Sequence, residues 1–393
     1  MFSRPLNFNQ PTYYIKNDAI EPTSTHQINM KNCILITNVN SLLGYALSYR
    51  FLEEWNREQD ENYAELREKT EFRLLCRERQ GLDELELLGA KIIEVQDYQN
   101  QGKIKEYMDG VGYVMFLPEN SSQRLKEGET VIKCAKEQGV DYVTMLSYMG
   151  ADYAKEENKH LTEYCRLEKF LSKHFNHNSY TVMRSAMWHQ FYYYYGPMIE
   201  DENKIKLPVH EKAEFGSIDL ADLVDAVYNL SSFPAEEAVY SNLAHLYITN
   251  LRKKNKTLFE FTPSGTITPG QLVKAASVGL ERKDMTYEKI SPETLYDYLR
   301  RIHNDNRFRQ RPIQSATDIV VHKPILKEDR PYTFPLGRYL NDIVIEGILE
   351  YWTLADSNKQ SHVSDDLEKA IDRRPTAVGK FFKHNRDQFS RLR

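Results

Sequence analysis

Six short apolar runs constrain this chain of 393 residues more than any other feature. They are Cys33–Thr37, Phe72–Cys76, Lys91–Val95, Val111–Leu117, Val140–Leu146 and Tyr180–Arg184. Each has the length of a strand and is almost continuously apolar, as strands buried on both faces are. Between them apolar residues recur every three or four positions. Leu42, Leu43, Ala46, Leu47, Phe51 and Trp55 mark one helix face, and Val131, Ile132, Cys134 and Ala135 another. Shorter helices are expected at Leu82–Leu88, closed by Gly89, and over 103–109. A longer one is expected from Asn158 to Lys173. Strands alternating with helices predict a parallel sheet covered on both faces, with right-handed crossovers: a doubly wound α/β Rossmann-type fold.

Beyond Arg184 the pattern becomes mixed. Asp219–Val227 reads as a helix whose first residue caps its own amides. His245–Thr249 reads as a further strand. Thr268-Pro269, a cap with proline at the first helical position, opens a helix through Val278. The remainder is helix-weighted, with a looser segment around Phe308–Pro335. The organisation expected is a tail over 1–30, a Rossmann core over 31–190, and a smaller mixed α/β part over 191–393. Segments of that last part, such as 217–230, return to the core.

Composition limits the function classes. With 52 Lys+Arg against 57 Asp+Glu the net charge is −5, unlike the basic balance of a general nucleic-acid binder, and no direct nucleic-acid contact is expected. The basic runs Leu251–Lys256 and Arg300–Arg311 read as solvated loops. Cys33, Cys76, Cys134 and Cys165 are widely spaced in apolar runs, as free buried thiols in a reducing compartment are. No run approaches the roughly 20 apolar residues of a membrane span. The first 30 residues lack an apolar signal core and are not Arg-rich. Cytosol, with or without nucleus, is the expected location. The 11 histidines are scattered without a ligand motif, so no metal is expected. There is no P-loop lysine and no G-x-S-x-G elbow.

The first strand runs through a short turn into a helix. Dinucleotide pyrophosphates sit at such turns, on free amides and the helix dipole. The segment reads Ile36-Thr37-Asn38-Val39-Asn40-Ser41-Leu42-Leu43-Gly44. It resembles the first turn of the NmrA-like family of atypical short-chain dehydrogenases, T-G-x-x-G-x-x-G. Asn38 and Ser41 stand at the first two glycine positions, and Gly44 keeps the third. Other family segments follow in order across roughly 31–390. They include Asp97-Tyr98, Leu117-Pro118, Leu146–Ala151, Tyr180–Arg184 with Trp188–Phe191, Asp219–Asp222, and Ser364–Leu367 with Arg374-Pro375 and Asn385–Phe389.

The resemblance implies a dinucleotide site formed by Thr37, Asn38, Ser41, Leu42, Leu43, Arg77, Arg79, Asp97, Tyr98, Leu117, Pro118 and Ser147. Arg77 and Arg79 after the second strand suit a 2′-phosphate, hence NADP(H) before NAD(H). Asn tolerates positive φ, and a serine hydroxyl can donate to phosphate. Against this, two side chains now project where backbone should meet pyrophosphate, so a reading with binding weakened or lost stands beside one with binding retained.

Hydride transfer needs a proton donor as well. Ordinary short-chain dehydrogenases use a Tyr with a Lys four residues later, which lowers the phenol pKa. No such pair occurs in the expected helix. There, His160 and Tyr164 share a face, as a donor pair or, more simply, with Tyr164 packed among leucines. Trp188, His189 and Phe191 would wall a substrate or partner pocket, or belong to the core. The resemblance leaves two roles: a redox-sensing or regulatory binding module with a protein partner, or an NADPH-dependent reductase of a small quinone, carbonyl or imine.

Overall fold

The computed structural model describes residues 32–57, 70–231, 243–308 and 336–393. The expected tail over 1–30 and most of the segment 308–335 lie outside them. The elements that place the site are β1 (Cys33–Ile36), α1 (Leu42–Arg57), β2 (Glu71–Cys76), α2 (Asp83–Leu87), β3 (Lys91–Glu94), α3 (Gln101–Tyr107), β4 (Val111–Phe116), α4 (Arg124–Glu137), β5 (Tyr142–Tyr148), α5 (Lys159–His174) and β6 (Tyr180–Ser185). Then come β7 (Met187–Trp188), a 3-10 turn over His189–Tyr195, α6 (Gly196–Glu202), β8 (Lys204–Leu207), β9 (Ser217–Ile218), α7 (Leu220–Ser231), α8 (Leu243–Lys253) and β10 (Leu258–Phe261). The last are α9 (Pro269–Gly279), β11 (Thr286–Lys289), α10 (Pro292–His303), α11 (Asp342–Asp356), α12 (Asp366–Ile371), α13 (Val378–His384) and α14 (Arg386–Ser390).

Seven strands form one sheet in the order β10-β6-β5-β4-β1-β2-β3, and every pairing in it is parallel. The doubly wound Rossmann-type fold is therefore present. Alternation along β1 shows why both faces need cover. Ile34 and Ile36 join α1, α7 and α8 in one buried layer, while Cys33 and Leu35 face α3, α4 and α5 in the other. The chain order reverses between β1 and β4, and the crevice outside the carboxyl ends of those strands is where ligands bind in such sheets.

Local signals place most of these elements. Gly89 and Gly139 take positive φ just after α2 and α4, as glycines that end helices do. Thr268 caps α9 in a full capping box with Gln271. Asp219 Oδ1 accepts the amide of Ala221 at the start of α7. One expectation is corrected: His245–Thr249 is not a strand but part of helix α8. Leu246, Tyr247, Ile248, Asn250 and Leu251 are buried in it, and an apolar run this short does not separate helix from strand. The strand added to the sheet edge is β10, which pairs with β6.

The late segments that resemble the family return to the sheet. Asp366 accepts the amide of Glu260 in β10. Asp222 of α7 accepts the amide of Thr376 and pairs with Arg373 at 2.6 Å. Cys33, Cys76 and Cys134 are buried free thiols, while Cys165 is only partly buried. Burial pushes the thiols of Cys33 and Cys76 up to about 12, so neither is a nucleophile at neutral pH.

Candidate functional site

The turn after β1 holds one residue in a conformation that glycine adopts freely. Asn38 sits in the left-handed region, with φ 53°, and its Nδ2 donates to the Pro118 carbonyl at 2.7 Å. Thr37 Oγ1 donates to Leu117 O at 2.8 Å and accepts the Leu117 amide at 2.9 Å. These bonds tie the turn to the chain leaving β4. Ser41 Oγ donates to Asn38 O at 2.7 Å and accepts the Gly44 amide at 3.0 Å. The hydroxyl hydrogen is therefore spent inside the turn and is not free for a phosphate. A Cβ on Gly44 would overlap the Asn38 carbonyl oxygen, which explains why this glycine survives. The amides of Leu42 and Leu43 open the helix, where no preceding turn supplies acceptors. Both residues line the cleft.

That cleft encloses about 1000 Å³, its open mouth included, along the ends of β1, β4 and β5. Asn38, Ser41, Leu117, Pro118, Ser147, His160, Tyr164, Trp188 and Phe191 meet around it. So do residues that the sequence did not single out: Asn120, Arg124, Tyr148 and Met149, and Val344, Ile348 and Tyr351 of α11. Nothing near α11 in the sequence marks it as a roof, because its link to the cleft is made across some 190 residues of chain. Glu350 accepts the amides of His160 and Leu161 at 2.9 Å each, capping α5.

His160 and Tyr164 are held in place rather than poised. Arg124 Nη1 lies 2.9 Å from His160 Nδ1 and 3.0 Å from Glu163 Oε2. A guanidinium can only donate, so Nδ1 must accept and the imidazole is neutral. Its Nε2–H then donates to Glu346 at 2.7 Å. Tyr164 packs edge-on against Tyr148, with ring centroids 5.0 Å apart, and under the Arg124 guanidinium. Burial raises both phenols above the ordinary tyrosine value. Four residues after Tyr164 stands Glu168, not a lysine. Glu168 accepts Ser147 Oγ at 2.6 Å and is gripped by both Nε and Nη2 of Arg184. The hydroxyl hydrogen of Ser147 is thus committed as well.

The aromatic run divides. Trp188 and Phe191 face the cleft, 5.1 Å apart. His189 does not; its Nε2–H donates to Ser217 O at 3.0 Å, and burial lowers its basicity. Tyr192–Tyr195 fill the core.

The residues expected around adenosine do not line the cleft. Arg77 lies over the Tyr98 ring, 4.8 Å from its centroid. Its Nε is 3.2 Å from Glu119 and its Nη2 2.7 Å from Glu127. Both carboxylates are buried. Asn40 Oδ1 fixes the Arg77 amide at 2.6 Å. Arg79 pairs with Glu86 on the exposed side, and Asp97 Oδ1 accepts the Gln99 amide at 2.8 Å in an exposed turn.

No protein-family model and no curated sequence matches this chain, but solved structures do. A triphenylmethane reductase of Citrobacter sp. overlays with a TM-score of 0.61 at 14% identity, over 90% of this chain and 99% of that one. An NADPH-dependent quinone oxidoreductase of Escherichia coli gives 0.58 at 16%, over 89% and 98%. NmrA, a negative transcriptional regulator, gives 0.52 at 12%, over 90% and 94%. The fold is the Rossmann-type α/β fold that these structures share. The first two of these neighbours were also solved with NADP(H) and with NADPH. The turn 37–44 lies at the β1–β4 crevice, and Trp188, Phe191 and Tyr148 line the same cleft. Among the described residues no group of His, Cys, Asp or Glu could hold a metal ion, and no helix is long and apolar enough to cross a membrane.

Proposed function

We propose that this protein binds NADP(H) in the β1–β4 crevice and acts as a redox-sensing or regulatory binding module whose hydride-transfer machinery is reduced. The observation that carries the reading is the turn itself. Asn38 takes the left-handed conformation that glycine adopts freely, and Leu42 and Leu43, at the open start of α1, line the cleft. These residues suit a pyrophosphate, and Arg77, which lies outside the cleft lining, is the cation that the family resemblance assigns to a 2′-phosphate. The bound dinucleotide would supply a hydride. The protein's own groups supply little beyond binding. With Glu168 in place of a lysine and burial raising the Tyr164 phenol, that hydroxyl orients a hydrogen bond but is a poor acid. His160 cannot give up its proton to a ligand without breaking its contact with Glu346.

Calorimetry and thermal shift with NADPH, NADP, NADH and NAD test this. NADP forms are expected to raise the melting temperature, and Arg77→Glu to abolish the rise. No shift with any nucleotide would overturn it.

A second reading is favoured by the aromatic wall of Trp188, Phe191 and Tyr148. It is NADPH-dependent reduction of a flat acceptor such as a quinone, which solvent can protonate without a strong protein acid. Loss of NADPH absorbance on adding quinones or aldehydes separates the two; a sensor leaves NADPH unconsumed.

A further inference from the structure

Beside the crevice, at the residues that the proposed reading assigns to adenosine, one cation meets two buried carboxylates. The Arg77 side chain is about a third exposed (35%), whereas those of Glu119 and Glu127 are 7% and 6% exposed. The three groups come from the chain ends after β2 and β4 and from α4. They close on the ring of Tyr98, which follows β3. Glu127 Oε2 keeps no hydrogen-bond partner although it is buried. A buried carboxylate oxygen without a donor is costly, so Glu127 is held against Arg77 by charge rather than by a complete hydrogen-bond set. A 2′-phosphate arriving here meets an arginine whose charge is already spent on carboxylates. It also meets those carboxylates, which repel it.

We infer that Glu119 and Glu127 limit affinity and set specificity at the adenosine half: they latch Arg77 over Tyr98, and a 2′-phosphorylated adenosine binds only by drawing the guanidinium off them. The inference rests on the NADP(H) reading above. Its consequence is selective. Nucleotides without a 2′-phosphate do not need Arg77 and gain little from its release. Those with one compete for it directly, through the planar fork that suits a phosphate.

The test is calorimetric titration at pH 8, where Glu119 is ionised, of NADPH and of NADH into the full chain, its Glu127→Gln variant, and that variant also carrying Arg77→Met. Glu127→Gln removes one latch charge while keeping the side-chain shape. It is expected to tighten NADPH at least tenfold and NADH less than twofold, and Arg77→Met is expected to remove the gain. Glu119→Gln provides the same comparison should circular dichroism show Glu127→Gln to be unfolded. NADPH binding that is present but unchanged or weakened in both glutamine variants overturns the latch and leaves the binding reading standing. Equal tightening of NADPH and NADH also overturns it, because the gain would not come from the phosphate. No binding of either nucleotide by any variant overturns the latch and the binding reading together.

Discussion

Glu119 is the residue with the sharpest consequence for stability. Its carboxyl is raised from the ordinary 4.5 to about 7, first by burial and against the pull of the Arg77 guanidinium. A carboxyl raised on folding stabilises the folded state below its unfolded pKa, and the benefit is lost as pH rises through the folded value. The loss therefore falls between about pH 4.5 and 7, and is at most roughly 3 kcal/mol by the shift. Glu119→Gln removes the titration. Its melting temperature relative to the parent should be clearly higher at pH 8 than at pH 5, and a pH-independent difference would refute the assignment. Gly44 makes a second prediction. A methyl there overlaps the Asn38 carbonyl, so Gly44→Ala should cost about 3 kcal/mol in denaturant unfolding. Much of this was legible at the residue scale. Asn38 could be read as a tolerable left-handed residue and Arg77 as the cation after β2. The direction of the Ser41 hydroxyl was not, because its acceptor is the turn's own folded-back carbonyl. Nor were the partners of Arg77, 42 and 50 residues further along the chain.

At the scale of elements, periodicity found the six leading strands and the helices between them, and the first failure came where an apolar run was short. His245–Thr249 offers five residues that fit either period. The segment is helix, with Tyr247 packed on Phe51 of α1 and Tyr113 of β4, and the strand follows at Leu258. Helix α11 was invisible as a site element for a different reason: its role lies in a tertiary contact. Glu350 satisfies two amides at the start of α5, beside the pair of His160 with Glu346. Glu350→Ala leaves those amides without acceptors, at about 1–3 kcal/mol. Hydrogen exchange should then quicken over 342–356 and at the start of α5, while β1 and β4 stay protected. Unchanged exchange in α11 would mean that its apolar face alone holds it over the cleft.

At the scale of the molecule, a division near residue 190 is the natural expectation from pattern alone, since regular alternation stops there. The packing runs across that point. Tyr192–Tyr195 are fully buried in the same apolar cluster as Ile34 and Ile36 of the central strand and Phe381, Phe382 and Phe389 near the far end of the chain. Tyr193 stacks on Phe389 at 4.9 Å, and its hydroxyl donates to Gln388 at 2.7 Å. Residues 31–393 accordingly form one compact unit. A run of four tyrosines states that aromatics will be buried somewhere, not against what, since their partners lie nearly 200 residues on. Phe389→Ala removes a fully buried ring at about 3–5 kcal/mol. If the core is one cooperative body, that loss is felt in the sheet as well as at the site of the change. Far-ultraviolet dichroism and tryptophan fluorescence, which reports Trp55, Trp188 and Trp352, should then lose structure in a single coincident transition at a lower temperature. Two separated transitions, with the sheet melting at its original temperature, would show instead that the Rossmann strands and the aromatic cluster unfold independently.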